Sequence, residues 1–218
     1  YLDIFYTHRF DPMCEIEVVA DNLKFLYDLG FYNYAGISSY PKDKLTELIE
    51  LLIERKVPIA CLQYNISLIS LDNFLLCKEC FDKWKISTIA FSPLAQGLLT
   101  DSYFYKIKKI DSRINEKSST VTKVTSEMRE SLDYIKNTCR ENNISVELMA
   151  MVWLLSQDFI SSVAYGPRNI DQIFKMLEIK ELTKNLNNVF DFNRLLANSI
   201  PEVNQWKTRN PRNKFTIM

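Results

Sequence analysis

Glycine is scarce in this sequence. The 218 residues include 4 glycines, whereas average usage of about 7% would give roughly 15. A chain this poor in glycine is expected to keep it where the backbone requires it, because only glycine adopts left-handed or closely approached conformations readily. The four are Gly30, Gly36, Gly97 and Gly166, and each falls at a break between apolar segments.

Net charge and long apolar runs are also absent. Lys and Arg number 27 and Asp and Glu number 27, so the formal charge is zero. Nucleic acid is therefore not expected as the main partner, because binding to phosphates needs a basic surplus. The basic residues 207–214 are interpreted as a solvated tail. The longest apolar run, residues 146–155, contains Glu147 and falls short of the roughly 18 residues that span a membrane, so no membrane insertion is expected.

The cysteines do not form a disulfide or metal pattern. Five is an odd number, and a chain of this length does not need disulfides, so free thiols in a reducing cytoplasm are expected. Cys77 and Cys80 form a C-x-x-C that lacks a second cysteine pair and a nearby histidine, within an apolar helical pattern. Packing in the core is favoured over redox chemistry, and no metal site is predicted. Because the first residue is Tyr1 and not Met, further N-terminal sequence is expected.

What remains is an alternation of apolar strands and amphipathic helices. Strands are predicted at residues 1–7, 33–38, 58–63, 86–91 and 161–165. The first helix is predicted to begin with Asp11 as its N-cap and Pro12 at its first position, and to end at Gly30. Further helices are predicted after Pro41, at 71–84, 128–139, 145–155, from the cap Asn169 to about 179, and at 189–197, with a loop at 101–125.

This spacing predicts an α/β fold with a parallel sheet. Strand and helix repeat about every 30 residues, as in βαβ units. No G-x-G-x-x-G is present, so a dinucleotide-binding Rossmann fold is not favoured. A (β/α)8 TIM barrel uses about 31 residues per unit. Five units and a long loop fill the chain, so three units, on the order of 100 residues, are expected before Tyr1.

Polar residues collect where the predicted strands end, which is where (β/α)8 barrels place their working groups. His8 is the one histidine, and the sequence leaves open whether it is catalytic or a structural hydrogen bonder. Arg168 precedes the helix cap Asn169. It is either an anion-binding group beside a helix N-terminus or an ordinary surface arginine.

Five segments in order resemble the aldo-keto reductases. They are YLDIFYTHRFDP (1–12), GISSY (36–40), IAFSPLAQGLLT (89–100), DSR (111–113) and GPRNIDQ (166–172). The resemblance is greatest to the glyceraldehyde-phosphate reductase branch, which is related to potassium-channel β subunits. It implies that residues 1–218 are the C-terminal portion of one (β/α)8 domain, carrying strands four to eight.

The resemblance also implies an activity, a cofactor and a set of residues. Hydride passes from NADPH to an aldehyde or ketone carbonyl, a tyrosine tuned by a lysine and an aspartate supplies the proton, and a histidine orients the carbonyl. Of these four residues only the histidine is matched, by His8, so the chain alone is expected to be inactive. The implied cofactor-binding residues are Ser38, Ser39, Gln63, Phe91, Ser92, Leu94, Arg113, Gly166, Arg168 and Gln172.

Two other functional interpretations stay open, and so does oligomer formation. One is a cofactor-binding regulatory subunit like the channel β subunits, which carry asparagine at the His8 position. The other is a degenerate gene product. Three departures from the family pattern bear on both: Cys61 stands where a glutamine is usual, with Gln63 nearby, Ser102 replaces a lysine, and Met176 replaces an asparagine. Each lost polar contact would weaken cofactor binding by about 1 kcal/mol.

Overall fold

The computed structural model describes residues 1–105, 126–177 and 179. The chain divides into two compact units. The first comprises Tyr1–Ile66, Asn73–Ser92 and Leu154–Gly166. The second comprises Ser67–Asp72 and the described parts of Pro93–Trp153 and Pro167–Met218.

The first unit is built on a parallel sheet, as the sequence predicts. Its strands are β1 (Leu2–Thr7), β2 (Tyr32–Ser38), β3 (Ile59–Asn65), β4 (Ser87–Phe91) and β5 (Ile160–Ala164). They lie in chain order, and each neighbouring pair is parallel. All five carboxyl ends therefore lie at the same edge of the sheet.

Three helices follow the first three strands: α1 (Ile16–Asp28), α2 (Lys42–Glu54) and α3 (Asp72–Trp84). Each buries one apolar stripe, which in α2 consists of Leu45, Leu48, Ile49 and Leu52. In α3 the stripe contains Cys77 and Cys80, which confirms that this C-x-x-C packs in the core.

The predicted start of the first helix is wrong. α1 begins at Ile16, after Glu15, and not at Pro12. The Asp11 carboxylate accepts a hydrogen bond from Met13 N at 3.0 Å, and the Asp11 carbonyl accepts one from Cys14 N at 3.1 Å. Asp11 and Pro12 thus form a turn with an aspartate at its first position and a proline at its second, which delays the helix.

The described residues of the second unit are mainly helical. It holds α4 (Asp101–Phe104), α5 (Ser126–Glu141), α6 (Val146–Leu155) as far as Trp153, and α7 (Ile170–Leu177). The predicted loop at 101–125 is therefore wrong at its start, where Thr100 caps α4 by accepting a hydrogen bond from Tyr103 N. Residues 106–125, the predicted helix at 189–197 and the basic tail lie outside the described residues. No helix within 1–105 and 126–177 is long and apolar enough to cross a membrane.

Candidate functional site

The two faces of the sheet carry different residues because side chains alternate along each strand. Ala35, Ile37, Leu62, Thr88 and Ala90 are fully buried on the face that α1 to α3 cover. On the opposite face, two levels of paired residues lead toward the carboxyl edge. Tyr6, Gly36, Cys61 and Ser87 form the deeper level, and Ser38, Gln63 and Ile89 form the level nearer that edge.

The strand register determines which of Cys61 and Gln63 lies beside Ser38. Gln63 pairs with Ser38, whereas Cys61 pairs with Gly36 two residues deeper. Ser38 is 3% exposed, and its hydroxyl lies 3.3 Å from that of Ser39. Two serine hydroxyls and one carboxamide therefore lie at the carboxyl ends of β2 and β3, and His8 follows β1 at the same edge.

A tyrosine and a cysteine occupy the deeper level. The Tyr6 hydroxyl lies 2.8 Å from Cys61 Sγ. The Tyr6 ring crosses Gly36 so closely that a Cβ atom there would lie 2.5 Å from Cδ1 and 2.8 Å from Cζ. Burial, followed by the contact with Cys61, raises the pKa of Tyr6, and burial raises the pKa of Cys61. Both groups are therefore neutral near pH 7, and Tyr6 is a poor proton donor there.

Two serines directly after strands have left-handed backbones. Ser39 follows β2 with a φ of 60°, and Ser92 follows β4 with a φ of 55°. This conformation is unfavourable for residues with a Cβ atom and tends to occur at functional sites. Phe91, just before Ser92, pairs with Asn65 and is half-buried. A partly exposed aromatic ring therefore lies at the carboxyl end of β4.

In the second unit, the start of α7 is closed by reciprocal hydrogen bonds. Asn169 Oδ1 accepts from Gln172 N at 3.0 Å, which confirms the predicted helix cap. Gln172 Oε1 in turn accepts from Arg168 N at 2.7 Å. The Gln172 oxygen is thus engaged in the turn, and its Nε2 donors are the groups that a ligand could use. The Arg168 side chain is exposed.

An ion cluster holds α7 within this unit. Lys175 Nζ lies 3.3 Å from Glu147 Oε2 and 3.7 Å from Asp101 Oδ2. The other oxygen of Asp101 accepts a hydrogen bond from Val146 N at the start of α6. These contacts join α4, α6 and α7, so α7, whose first turn carries the cap, is fixed to the other two helices of this unit.

The predicted site residues divide between the two units. The first unit holds His8, Ser38, Ser39, Gln63, Phe91, Ser92 and Gly166. Leu94, Arg168 and Gln172 belong to the second unit, and Arg113 lies outside the described residues. The structure brings Ser38, Ser39 and Gln63 together. The contact of Tyr6 with Cys61 is not predicted from the sequence, in which the scarce Gly36 is the signal for a close approach.

Comparison with known proteins identifies relatives along most of the chain. The aldo/keto reductase family matches residues 1–194. L-glyceraldehyde 3-phosphate reductase of Escherichia coli K12 is 31% identical over 215 residues, covering 95% of this chain and 61% of that protein. A probable voltage-gated potassium channel subunit beta of Oryza sativa is 24% identical, over 82% of this chain and 56% of that protein.

A solved structure shares the fold. A thermostable aldo-keto reductase crystallised with the inhibitor epalrestat superposes with a TM-score of 0.60 at 17% identity. The match covers 83% of this chain and 55% of that chain. The chain therefore spans roughly three fifths of the length of these relatives.

Proposed function

The chain belongs to the aldo/keto reductase family, and from that membership we propose that the complete protein reduces aldehyde or ketone carbonyls with NADPH. We further propose that residues 1–218 supply strands four to eight of a (β/α)8 barrel, the other three units coming from sequence before Tyr1. The observation that carries the proposal is the pairing of Ser38 with Gln63 at the carboxyl edge, with the Ser39 hydroxyl 3.3 Å from that of Ser38.

The residues present fit a nicotinamide dinucleotide. The Ser38 and Ser39 hydroxyls and the Gln63 amide supply donors and acceptors that suit a carboxamide. The half-buried Phe91 ring at the same edge suits stacking on a flat heterocycle. An added Cβ at Gly166 would meet no described atom within 4 Å, so its backbone is open to close approach by a ligand. Ser92, Leu94 and Arg113 complete the proposed set.

The chain's own residues would bind and orient the reactants. NADPH, when bound, supplies the hydride. Ser38, Ser39 and Gln63 would hold the carboxamide and so set which ring face is presented. His8 would donate a hydrogen bond to the carbonyl oxygen of a small substrate and orient it for reduction. The proton donor is proposed to come from sequence before Tyr1, because the resemblance matches only the histidine of the four implied residues in this chain. Tyr6 contacts Cys61 at the deeper level.

Arg168 is proposed to select NADPH over NADH. Its guanidinium would contact the 2′-phosphate, and a charge-assisted bond of about 1.5–3 kcal/mol corresponds to roughly 10- to 150-fold in affinity. Titration of the complete protein with both dinucleotides should show this preference, and Arg168→Ala should abolish it without weakening NADH binding. Arg140→Ala, which removes another exposed arginine, is the matched control. Equal affinities in the parent would contradict the assignment.

A cofactor-binding regulatory subunit is the second candidate, supported by the relative named as a channel β subunit. His8 favours the reductase, because the resemblance implies asparagine at this position in those subunits. Turnover of a small reactive aldehyde by the complete protein separates the two. Tight NADPH binding without turnover would support the regulatory subunit.

A further inference from the structure

Tyr64 is hydrogen-bonded to the backbone of the serine turn, which consists of Ser38, Ser39 and Tyr40 at the carboxyl end of β2. It directly follows Gln63 on β3, is 2% exposed, and points to the helix-covered face. Its hydroxyl donates to Tyr40 O at 2.8 Å and accepts from Tyr40 N at 3.0 Å. Tyr40 is the residue after Ser38 and Ser39. A single hydroxyl therefore satisfies both backbone groups of the residue that ends the turn.

The same turn is linked to the segment that carries His8. The carbonyl of Ser39, in the same peptide unit as Tyr40 N, accepts a hydrogen bond from Phe10 N at 3.5 Å. The Tyr40 and Phe10 rings meet edge to face with centroids 5.6 Å apart. Thr7, the residue before His8, is bonded to β2 instead, because its hydroxyl donates to Gly36 O at 3.5 Å. Tyr40 thus contacts the segment that follows His8.

We propose that Tyr40 and Tyr64 form a positioning layer for the site residues next to them in the chain. Tyr40 follows Ser38 and Ser39, and Tyr64 follows Gln63 on β3, where neighbouring side chains face opposite sides of the sheet. The layer holds Ser39 in its left-handed conformation, which a residue with a Cβ atom does not adopt readily. The identity of the ligand in this inference rests on the proposed function. The restraint on the serine turn rests on the hydrogen bonds of Tyr64 with Tyr40 alone.

Tyr64→Phe tests the layer, because it removes the hydroxyl and keeps the ring. Tyr32→Phe is a matched control: Tyr32 is also 2% exposed, and its hydroxyl donates to the backbone carbonyl of Leu23 at 2.7 Å. Both variants lose a buried bond from tyrosine to backbone and should lower the melting temperature. Burial raises the pKa of Tyr64 well above 10, so the parent hydroxyl stays protonated throughout a neutral assay.

Two readouts on the complete protein separate positioning from general stability. In Tyr64→Phe the Tyr40 amide should exchange its hydrogen about tenfold faster, and the Kd for NADPH should rise about tenfold. In Tyr32→Phe both should stay within about twofold of the parent. Unchanged exchange at Tyr40, or an equal rise in Kd in both variants, overturns the inference. If the parent binds neither NADPH nor NADH, the proposed function fails, and the exchange rate still decides whether Tyr64 holds the serine turn.

Discussion

Gly36 shows how one small residue shapes the interior face of the sheet. Its φ is not in the left-handed region, unlike that of Gly30 and Gly97. What requires glycine is the Tyr6 ring, which crosses the position on its way to Cys61. The expectation that scarce glycines mark backbone requirements is confirmed at these three positions. At Gly166 an added Cβ meets no described atom within 4 Å, so the expectation stays a prediction there, tied to the proposed ligand.

Gly36→Ala is predicted to destabilise the protein by about 1–3 kcal/mol, the usual cost of overpacking. The new Cβ would force the Tyr6 ring away from Cys61 or shift β2. Denaturant unfolding of the complete protein measures the change, with Gly166→Ala as the comparison in open space. In a double mutant with Tyr6→Ala, most of the Gly36→Ala effect should disappear, because the two residues share one contact. Equal stability of Gly36→Ala and Gly166→Ala would refute this explanation.

At the scale of elements, α3 shows how burial controls thiol chemistry. Burial raises the pKa of Cys77 well above 9.0 and that of Cys80 to about 11. Both thiols therefore stay protonated in the folded state at a pH where those of the unfolded chain ionise.

The consequence is a predicted loss of stability in alkali. Above about pH 9 the unfolded state binds fewer protons than the folded state, so the free energy of unfolding falls by about 1.4 kcal/mol per pH unit for each such thiol. Urea unfolding at about pH 8 and about pH 10 measures this slope. Cys77→Ala should flatten it, whereas replacing the partly exposed Cys14 by alanine should leave it unchanged. A slope that Cys77→Ala does not alter would show that another group controls it.

At the scale of the whole molecule, five parallel strands do not close an eight-stranded barrel. β1 and β5 are the outer strands among those described, and the chain covers 61% of the E. coli relative. Outer strands with apolar faces tend to pair with other chains. We therefore expect the proposed reductase activity to need the remaining βα units.

Residues 1–218 expressed alone are predicted to reduce carbonyls poorly. His8 can orient a carbonyl, but the proton donor is proposed to lie before Tyr1, and loss of a general acid costs about 10²–10⁴-fold in rate. The outer edges of β1 and β5, which no other described strand pairs, should also make this chain poorly soluble or oligomeric. NADPH oxidation with a small reactive aldehyde, compared with the longer polypeptide, checks the rate. Comparable turnover would mean that these residues already hold a complete site.

The sequence by itself determined the parallel α/β architecture, the order of its strands and the family. These follow from local signals, namely apolar periodicity, the Asn169 cap and motifs that each span a few neighbouring residues. Element boundaries were less accurate at Asp11–Pro12 and at Asp101, because a proline or a polar stretch suits a turn as well as a helix end.

Tertiary structure alone decided which residues meet at the carboxyl edge. That Gln63 and not Cys61 lies beside Ser38 depends on the register of two strands joined through a helix. That Tyr6 crosses Gly36, and that Tyr64 holds Tyr40, depends on contacts 30 and 24 residues apart in the chain. Local propensities do not encode register. It is set when apolar faces pack against α1 to α3, and a slip of one residue would turn every one of these side chains to the other face.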